Sequence, residues 1–409
     1  GTGIDVALID TGVVPVTGLD GADAVIGGPD LSFDRQSGLA AGLDGYGHGT
    51  HMAGIIASRG GADAGLAPAS RLVNLKVGAS NGAVDVSQVI AAIDWVVQNR
   101  TANGLNIRVL NLSFGTDGVQ ASSVDPLAHA VESAWRNGIV VVVAAGNSGK
   151  TLLNPAIDPF VLTVGAVDLK DPATPLDDEV ASYSSVGTAS RRVDLVAPGT
   201  SIISKRDPGS SIDDEHPEAR VGTDGFRGSG TSQAAAVTSG VVASLLEARP
   251  TLSPDQVKSV LTRSAVRLPR SALTSQGAGM IDLAGALAAT PLAGGQAGTR
   301  STGTGTLEGA RGSVHVSLDG TELRGEIDVQ SQRWVPSVWA PLSAAGRAWS
   351  GGTWNGALWA GDGFTSGAPT WSGRTWKDAT WTGRTWKGDA WTGRTWRGET
   401  WTGRTWKST

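Results

Sequence analysis

The 409-residue chain contains no cysteine, which excludes a disulfide scaffold, a thiolate metal site and a thiol nucleophile. No apolar run approaches the roughly 20 residues that a membrane-spanning helix needs. No charged and apolar leader opens the chain. Gly1 to Gly12 already reads as a core strand, so any signal or pro-segment is expected to have been removed. Charged residues are only 17% of the chain and apolar ones 40%. That is enough apolar material for a sizeable core, and it excludes wholesale disorder. The length suggests two or three domains. A cysteine-free composition with 58 glycines is compatible with an extracellular location.

The net charge of −5 conceals an asymmetry. From Ser331 onward ten Lys/Arg stand against four Asp/Glu, a balance of +6, which leaves −11 for the remainder. Thirteen of the fifteen tryptophans fall between Trp334 and Trp406. Two different physical objects share one chain.

In the first 292 residues, short apolar runs alternate with helical patterns. Ile4 to Ile9, Leu72 to Val77, Ile107 to Leu112, Ile139 to Ala145 and Val161 to Val167 suit strands covered on both faces of a parallel sheet. Between them, Ser87 is expected to cap a helix reaching Gln98. Asp125-Pro126 caps another that stops at Asn137-Gly138, and Ser253 to Gln256 forms a capping box. The alternation predicts a doubly wound α/β domain with a mainly parallel sheet and helices on both faces. Residues 293–312 are small and flexible and read as a linker. Ser313 to Leu318 and Thr321 to Val329, joined at Asp319-Gly320, read as a β-hairpin opening a domain over 313–409.

Three segments of the first domain could carry chemistry. Asp10 ends an apolar strand at the carboxyl edge of the sheet, where α/β domains bind ligands. His48 lies in Gly47-His48-Gly49-Thr50-His51, ahead of a helical stretch, and Ser232 in Gly228-Ser229-Gly230-Thr231-Ser232, ahead of another. A serine hydroxyl becomes a competent nucleophile when an imidazole takes its proton and a carboxylate orients that imidazole. Each segment alone reads as a turn or a cap; their conjunction points to catalysis.

Asp10-Thr11-Gly12, Gly47 to Gly54 and Gly230-Thr231-Ser232 resemble the three signatures of subtilisin-like serine proteases. Ala144-Ala145-Gly146-Asn147-Ser148-Gly149 resembles that family's oxyanion-asparagine segment. The resemblance covers Gly1 to Pro291. It implies a secreted endopeptidase working through an acyl-enzyme, with Ser232 as nucleophile, His48 as base and Asp10 as its orienter. The Asn147 side chain and the Ser232 N–H would hold the oxyanion. His51 resembles the family's structural histidine, while His129, His216 and His315 have no motif context and read as surface or structural. Gly82-Ala83-Val84 and Ser113-Phe114-Gly115 align with the two edges that sandwich substrate. Phe114, Ala145 and Leu153 would line the pocket for the side chain before the scissile bond, favouring an apolar one. No cofactor is implied. Calcium is admissible, yet Asp44 and Asp158 make no clear site, and no residue is assigned to a metal. Two departures stand out. Gln233 to Ala236 follow the serine where the family has a hydrophobic residue and a Ser/Thr-Pro, and the stretch from His51 to Pro68 is short.

The tail repeats. Trp371, Trp376, Trp381, Trp386, Trp391, Trp396, Trp401 and Trp406 recur every five residues, and Trp334, Trp339, Trp349, Trp354 and Trp359 keep the step less perfectly. Five is neither the strand nor the helix period, so each unit needs a turn, which predicts a small all-β array, a narrow β-solenoid or stacked hairpins. Short three-residue strands would set tryptophans ten apart on one face, in two indole ladders with rungs about 4.8 Å apart. Such Trp-rich tails resemble those of secreted subtilases of actinobacterial type. For this tail the readings are self-association into an oligomer or filament, and attachment to a surface or cell-wall glycan. Nucleic acid is not supported. The alternative for the whole chain is a self-assembling extracellular surface protein whose peptidase domain is vestigial or only self-processing.

Overall fold

The structure, a computed structural model, describes residues 1–34, 41–61, 64–170, 177–318 and 320–359. The apolar runs form one sheet. Its parallel run comprises β1 (Asp5–Asp10), β2 (Val25–Asp30), β3 (Arg71–Lys76), β4 (Ile107–Leu112), β5 (Val140–Ala144) and β6 (Leu162–Asp168). They lie in the order β2-β3-β1-β4-β5-β6, all parallel. Beyond β6, β7 (Glu179–Val180) pairs antiparallel and β8 (Leu195–Pro198) parallel. The chain runs from β1 out to β2, returns through β3, then crosses β1 to β4. The strand order therefore reverses at β1, and the carboxyl end of that strand is where such sheets open a ligand crevice.

Helices α1 (His48–Ala57), α2 (Val86–Asn99) and α3 (Pro126–Arg136) follow β2, β3 and β4. After β9 (Ile202–Lys205), α4 (Ser211–Glu215), β10 (Arg220–Val221) and β11 (Gly225–Gly228) comes the long α5 (Thr231–Ala248). Helices α6 (Pro254–Ser264), α7 (Leu273–Gln276) and α8 (Leu283–Ala288) complete this part. Helices α1 and α5 pack together on one face of the sheet, and α2 and α3 on the other. With both faces covered, β1 and β5 are buried along their whole length, as continuous apolar runs require.

Two local details differ from the sequence reading. The N-cap of α2 is Asp85, which accepts from the Ser87 N–H, while Gln88 accepts from the Asp85 N–H. Ser87 is thus a donor to the cap. Strand β2 was not expected because it carries Gly27, Gly28 and Pro29. Among the described residues it pairs with β3 alone, at the sheet edge, where Gly and Pro are tolerated.

The tail begins with α9 (Leu307–Arg311), the short hairpin β12 (Ser317–Leu318) and β13 (Thr321–Glu322), and α10 (Pro336–Ala344). A meander of β14 (Trp349–Ser350), β15 (Thr353–Trp354) and β16 (Ala357–Leu358) follows. The hairpin pairs Leu318 with Thr321 as expected, but its strands are two residues long and do not continue to Val329. The segment read as a free linker is packed. Ser301 is buried and donates its N–H to Glu132 at 2.7 Å, and Leu307 is fully buried. A Cβ on Gly303 would sit 2.7 Å from the His129 ring. The small residues that suggested freedom are what let the chain lie flat against α3.

The tail packs on the outer side of the α2–α3 layer. Its anchor is Asp94 of α2, 2% exposed. Its Oδ2 accepts from the indole N–H groups of Trp339 at 2.8 Å and Trp354 at 2.9 Å, and its Oδ1 from Ser343 at 2.6 Å. Burial raises the Asp94 pKa against these hydrogen bonds. The Trp349 indole N–H donates to the Ala91 carbonyl, and His129 joins the Ser301 and Ala340 carbonyls. Trp334, Trp339, Trp349, Trp354 and Trp359 are all buried. Small antiparallel strands fit the all-β expectation for 349–358; helix α10, which carries Trp339, does not belong to it. Tryptophans five apart share one face because Trp349 pairs with Trp354 across a two-residue turn, and Trp359 lies two residues beyond Ala357, the partner of Trp354. Their rings meet edge-on, 5.6 Å between Trp354 and Trp359 and 6.1 Å between Trp349 and Trp359, instead of stacking in ladders. The regular repeats from Trp371 to Trp406 lie outside the described residues.

Candidate active site

Asp10 is the last residue of β1, at the strand reversal, and His48 is the first of α1. Both are buried, and the His48 Nδ1 lies 2.7 Å from the Asp10 Oδ1. The same oxygen accepts the Thr11 N–H at 2.8 Å. The Thr11 hydroxyl accepts the Gly49 N–H at 2.9 Å and so ties the strand end to the helix start. This approach requires glycine. A Cβ on Gly49 would lie 2.1 Å from the Gly12 carbonyl oxygen, and one on Gly12, at φ +112°, would lie 2.7 Å from the Asp44 nitrogen. The Gly-rich surroundings of His48 are thus a packing demand.

Asp44 orients the start of α1. Its Oδ1 accepts from the Tyr46 and Gly47 N–H groups and its Oδ2 from the Thr50 N–H and hydroxyl, all within 3.0 Å. Lys76, at the end of β3, donates to the Thr11 carbonyl at 2.7 Å and pairs with Asp34. His51 is fully buried. Burial, followed by the neighbouring His48, holds its pKa well below the usual value, which favours its neutral form. Asp158 accepts the Phe160 N–H, and burial beside Glu132 raises its pKa.

Ser232 lies in the first turn of α5, against which α1 packs. The Ser232 N–H belongs to that first turn and has no acceptor within the helix, and the helix dipole favours negative charge there. Asn147, after β5, meets the same turn. Its Oδ1 accepts the Thr231 N–H at 2.8 Å and the Thr231 hydroxyl at 3.0 Å. The Thr231 hydroxyl in turn accepts the Gly146 N–H at 3.1 Å. With its carbonyl oxygen committed to Thr231, the Asn147 amide has its N–H groups left to donate. Sequence reasoning singled out Asn147 and Ser232 but gave Thr231 no role of its own, because a Thr before a helical serine reads as an ordinary cap.

The proposed substrate walls fall into two connections. Gly82-Ala83-Val84 lies between β3 and α2, where Gly82 has φ +78° and Ala83 donates to the Asn81 side chain. Ser113-Phe114-Gly115 follows β4, with Phe114 1% exposed. A Cβ on Gly115 would approach the Leu153 side chain to 2.9 Å, and one on Gly146 to 3.0 Å. The Leu153 N–H also bonds the Ala145 carbonyl. Leu153 therefore joins the 113–115 segment to the Asn147 segment. His129 bonds the tail, and His216 and His315 bond the nearby acids Glu218 and Glu308.

The Subtilase family (Peptidase S8) matches residues 1–286. Serine protease AprX of Bacillus subtilis (strain 168) is 39% identical over 274 residues, covering 64% of this chain and 61% of its own. Subtilisin DY of Bacillus licheniformis is 36% identical over 276 residues, 66% of this chain and 85% of its own. Among solved structures, fervidolysin from Fervidobacterium pennivorans, a keratinolytic enzyme related to subtilisin, superposes with a TM-score of 0.57. It is 30% identical over 71% of this chain and 43% of that one. The chain thus spans less than two thirds of AprX and of fervidolysin. Fold, family match and relatives agree: the chain belongs to the subtilase family.

Proposed function

We propose that the chain is a serine endopeptidase that hydrolyses peptide bonds through an acyl-enzyme. The observation carrying this reading is the buried 2.7 Å contact between Asp10 and His48 at the carboxyl end of β1. His48 heads a helix packed on the one that begins Thr231-Ser232. In the reaction His48 takes the Ser232 hydroxyl proton as Oγ bonds to the scissile carbonyl carbon. Asp10 holds the imidazole tautomer and stabilises the imidazolium. The Asn147 amide and the Ser232 N–H receive the oxyanion. The proton then passes to the leaving amine as the C–N bond breaks, and water repeats the sequence to release the acid. No cofactor takes part.

Phe114, Ala145 and Leu153 support an apolar preference for the side chain before the scissile bond. The family relatives support an extracellular setting. The tail is assigned to self-association or surface attachment, on the strength of a groove of about 630 Å³ beside α10, lined by Trp339, Trp349 and the exposed Val338 and Leu342. A serine-directed phosphonate tests the core of the reading: it labels the wild-type protein at Ser232 and leaves Ser232→Ala unlabelled. A folded wild-type chain that resists the reagent and leaves a denatured protein substrate intact removes the peptidase assignment. Sedimentation of the chain with and without residues 313–409 tests the tail; monomers in both cases remove self-association.

A further inference from the structure

Both segments assigned as substrate walls run directly into residues held by the tail. Val84 is followed by Asp85, whose Oδ1 accepts the Ser87 N–H while its Oδ2 accepts the Arg311 Nε at 2.7 Å. Gly115 is followed by Thr116, whose hydroxyl donates to the Ala310 carbonyl at 2.6 Å. One residue further, Asp117 accepts the Ser313 N–H at 2.7 Å. Ala310 and Arg311 are neighbours in α9, so a single helical turn holds the base of both walls.

The approach is close. A Cβ on Gly118 would lie 2.8 Å from the Gly309 carbonyl oxygen, and one on Gly312 would lie 2.1 Å from the Asp117 carboxylate. Arg311 is 2% exposed. Its remaining guanidinium donors go to the Gly325 carbonyl at 2.6 Å, to the Ile327 carbonyl and to Glu308. These bonds link the wall supports to the chain between the hairpin and α10. The family match ends at residue 286, so this strut comes from outside the matched region.

We propose that Arg311 is a positioning residue for extended peptide substrates: with Ala310 it sets the spacing of the 82–84 and 113–115 walls from behind. The inference rests on the peptidase reading above. A forked guanidinium can hold Asp85 and two carbonyls at fixed angles, which a point-charge ammonium cannot. A substrate long enough to lie between both walls senses the spacing; a single blocked amino acid reaches only the pocket beside the serine.

The test compares wild type, Arg311→Met, Arg311→Lys and Thr116→Val on two anilides ending in the same residue, one a blocked single amino acid and one a tetrapeptide. Amide exchange is followed at 79–88 and 113–118. Arg311→Met is expected to lose at least tenfold in kcat/KM on the tetrapeptide, mostly through KM, and less than twofold on the short substrate. Arg311→Lys falls between it and wild type. Thr116→Val, the milder variant should Arg311→Met fail to fold, is expected to lose about threefold on the tetrapeptide alone. Exchange rises in both walls. Equal losses on the two substrates overturn the proposal, as does faster exchange confined to 306–330. A wild-type protein unlabelled at Ser232 sinks the peptidase reading separately, and the exchange measurement still decides whether the tail sets the walls.

Discussion

The proposed catalytic centre and the tail interface are both buried, yet they are held together by different means. Around Asp10 and His48 two backbones touch through glycines, with Gly49 against Gly12 and Gly12 against the 42–44 loop. At the tail interface large indoles stand between the layers, and their N–H groups converge on one carboxylate, Asp94. The first region is intolerant of any added atom. The second is intolerant of losing a polar partner, because truncation leaves several buried donors unpaired.

That contrast can be broken at either end. The largest expected effect is at Asn147→Ala, which removes the proposed oxyanion donor and lowers kcat about 10²–10³-fold, the scale known for a member of the same family. Steady-state kinetics on a tetrapeptide anilide measures it, and an unchanged kcat assigns the oxyanion elsewhere. Gly49→Ala comes next. The added methyl forces Gly12 and α1 apart and separates Asp10 from His48, for an expected loss of about 10²-fold in kcat with most of the fold retained by circular dichroism. Asp94→Ala sharpens the other side: two indoles and the Ser343 hydroxyl lose their acceptor, and the tail opens more easily by about 3 kcal/mol. Amide exchange over 334–359 rises accordingly, while the sheet strands keep their protection.

The smallest effect is a pH dependence. Burial raises the Asp328 pKa to about 6, although it accepts from Asn355 and from the Gln330 and Gln332 N–H groups. A raised acid favours the fold in its neutral form. Its contribution is therefore complete below about pH 4 and is lost as pH rises through about 6, on the order of 2 kcal/mol. Urea unfolding followed by tryptophan fluorescence should show wild type weakening between pH 4 and 7, and Asp328→Asn flattening that slope. A slope unchanged by the substitution discards this source.

The same contrast explains what could be read from residues alone. The parallel strands were legible because burial on both faces leaves continuous apolar runs, and α3 and α6 because their caps are local. The Asp10, His48, Asn147 and Ser232 segments stood out because tight backbone contact filters for glycine around them. The edge strand β2 was hidden by its Gly-Gly-Pro, and the role of Thr231 by its likeness to a cap. The packed course of residues 301–311 was illegible for a deeper reason. Small residues look the same whether they serve freedom or contact, and only the facing surface of α3 distinguishes them. Helix α10 was hidden because Trp334 and Trp339 keep the five-residue step of the strand-forming repeats, and its nine residues carry Pro341 inside.

Thr231 has one further consequence. Its hydroxyl and amide both clasp the oxygen of Asn147, so the residue beside the proposed nucleophile and the residue proposed to cradle the anion are fastened into one piece. Heat that loosens either must release both. Inactivation on warming then follows a single exponential, with loss of phosphonate reactivity and loss of turnover keeping the same time course at every temperature.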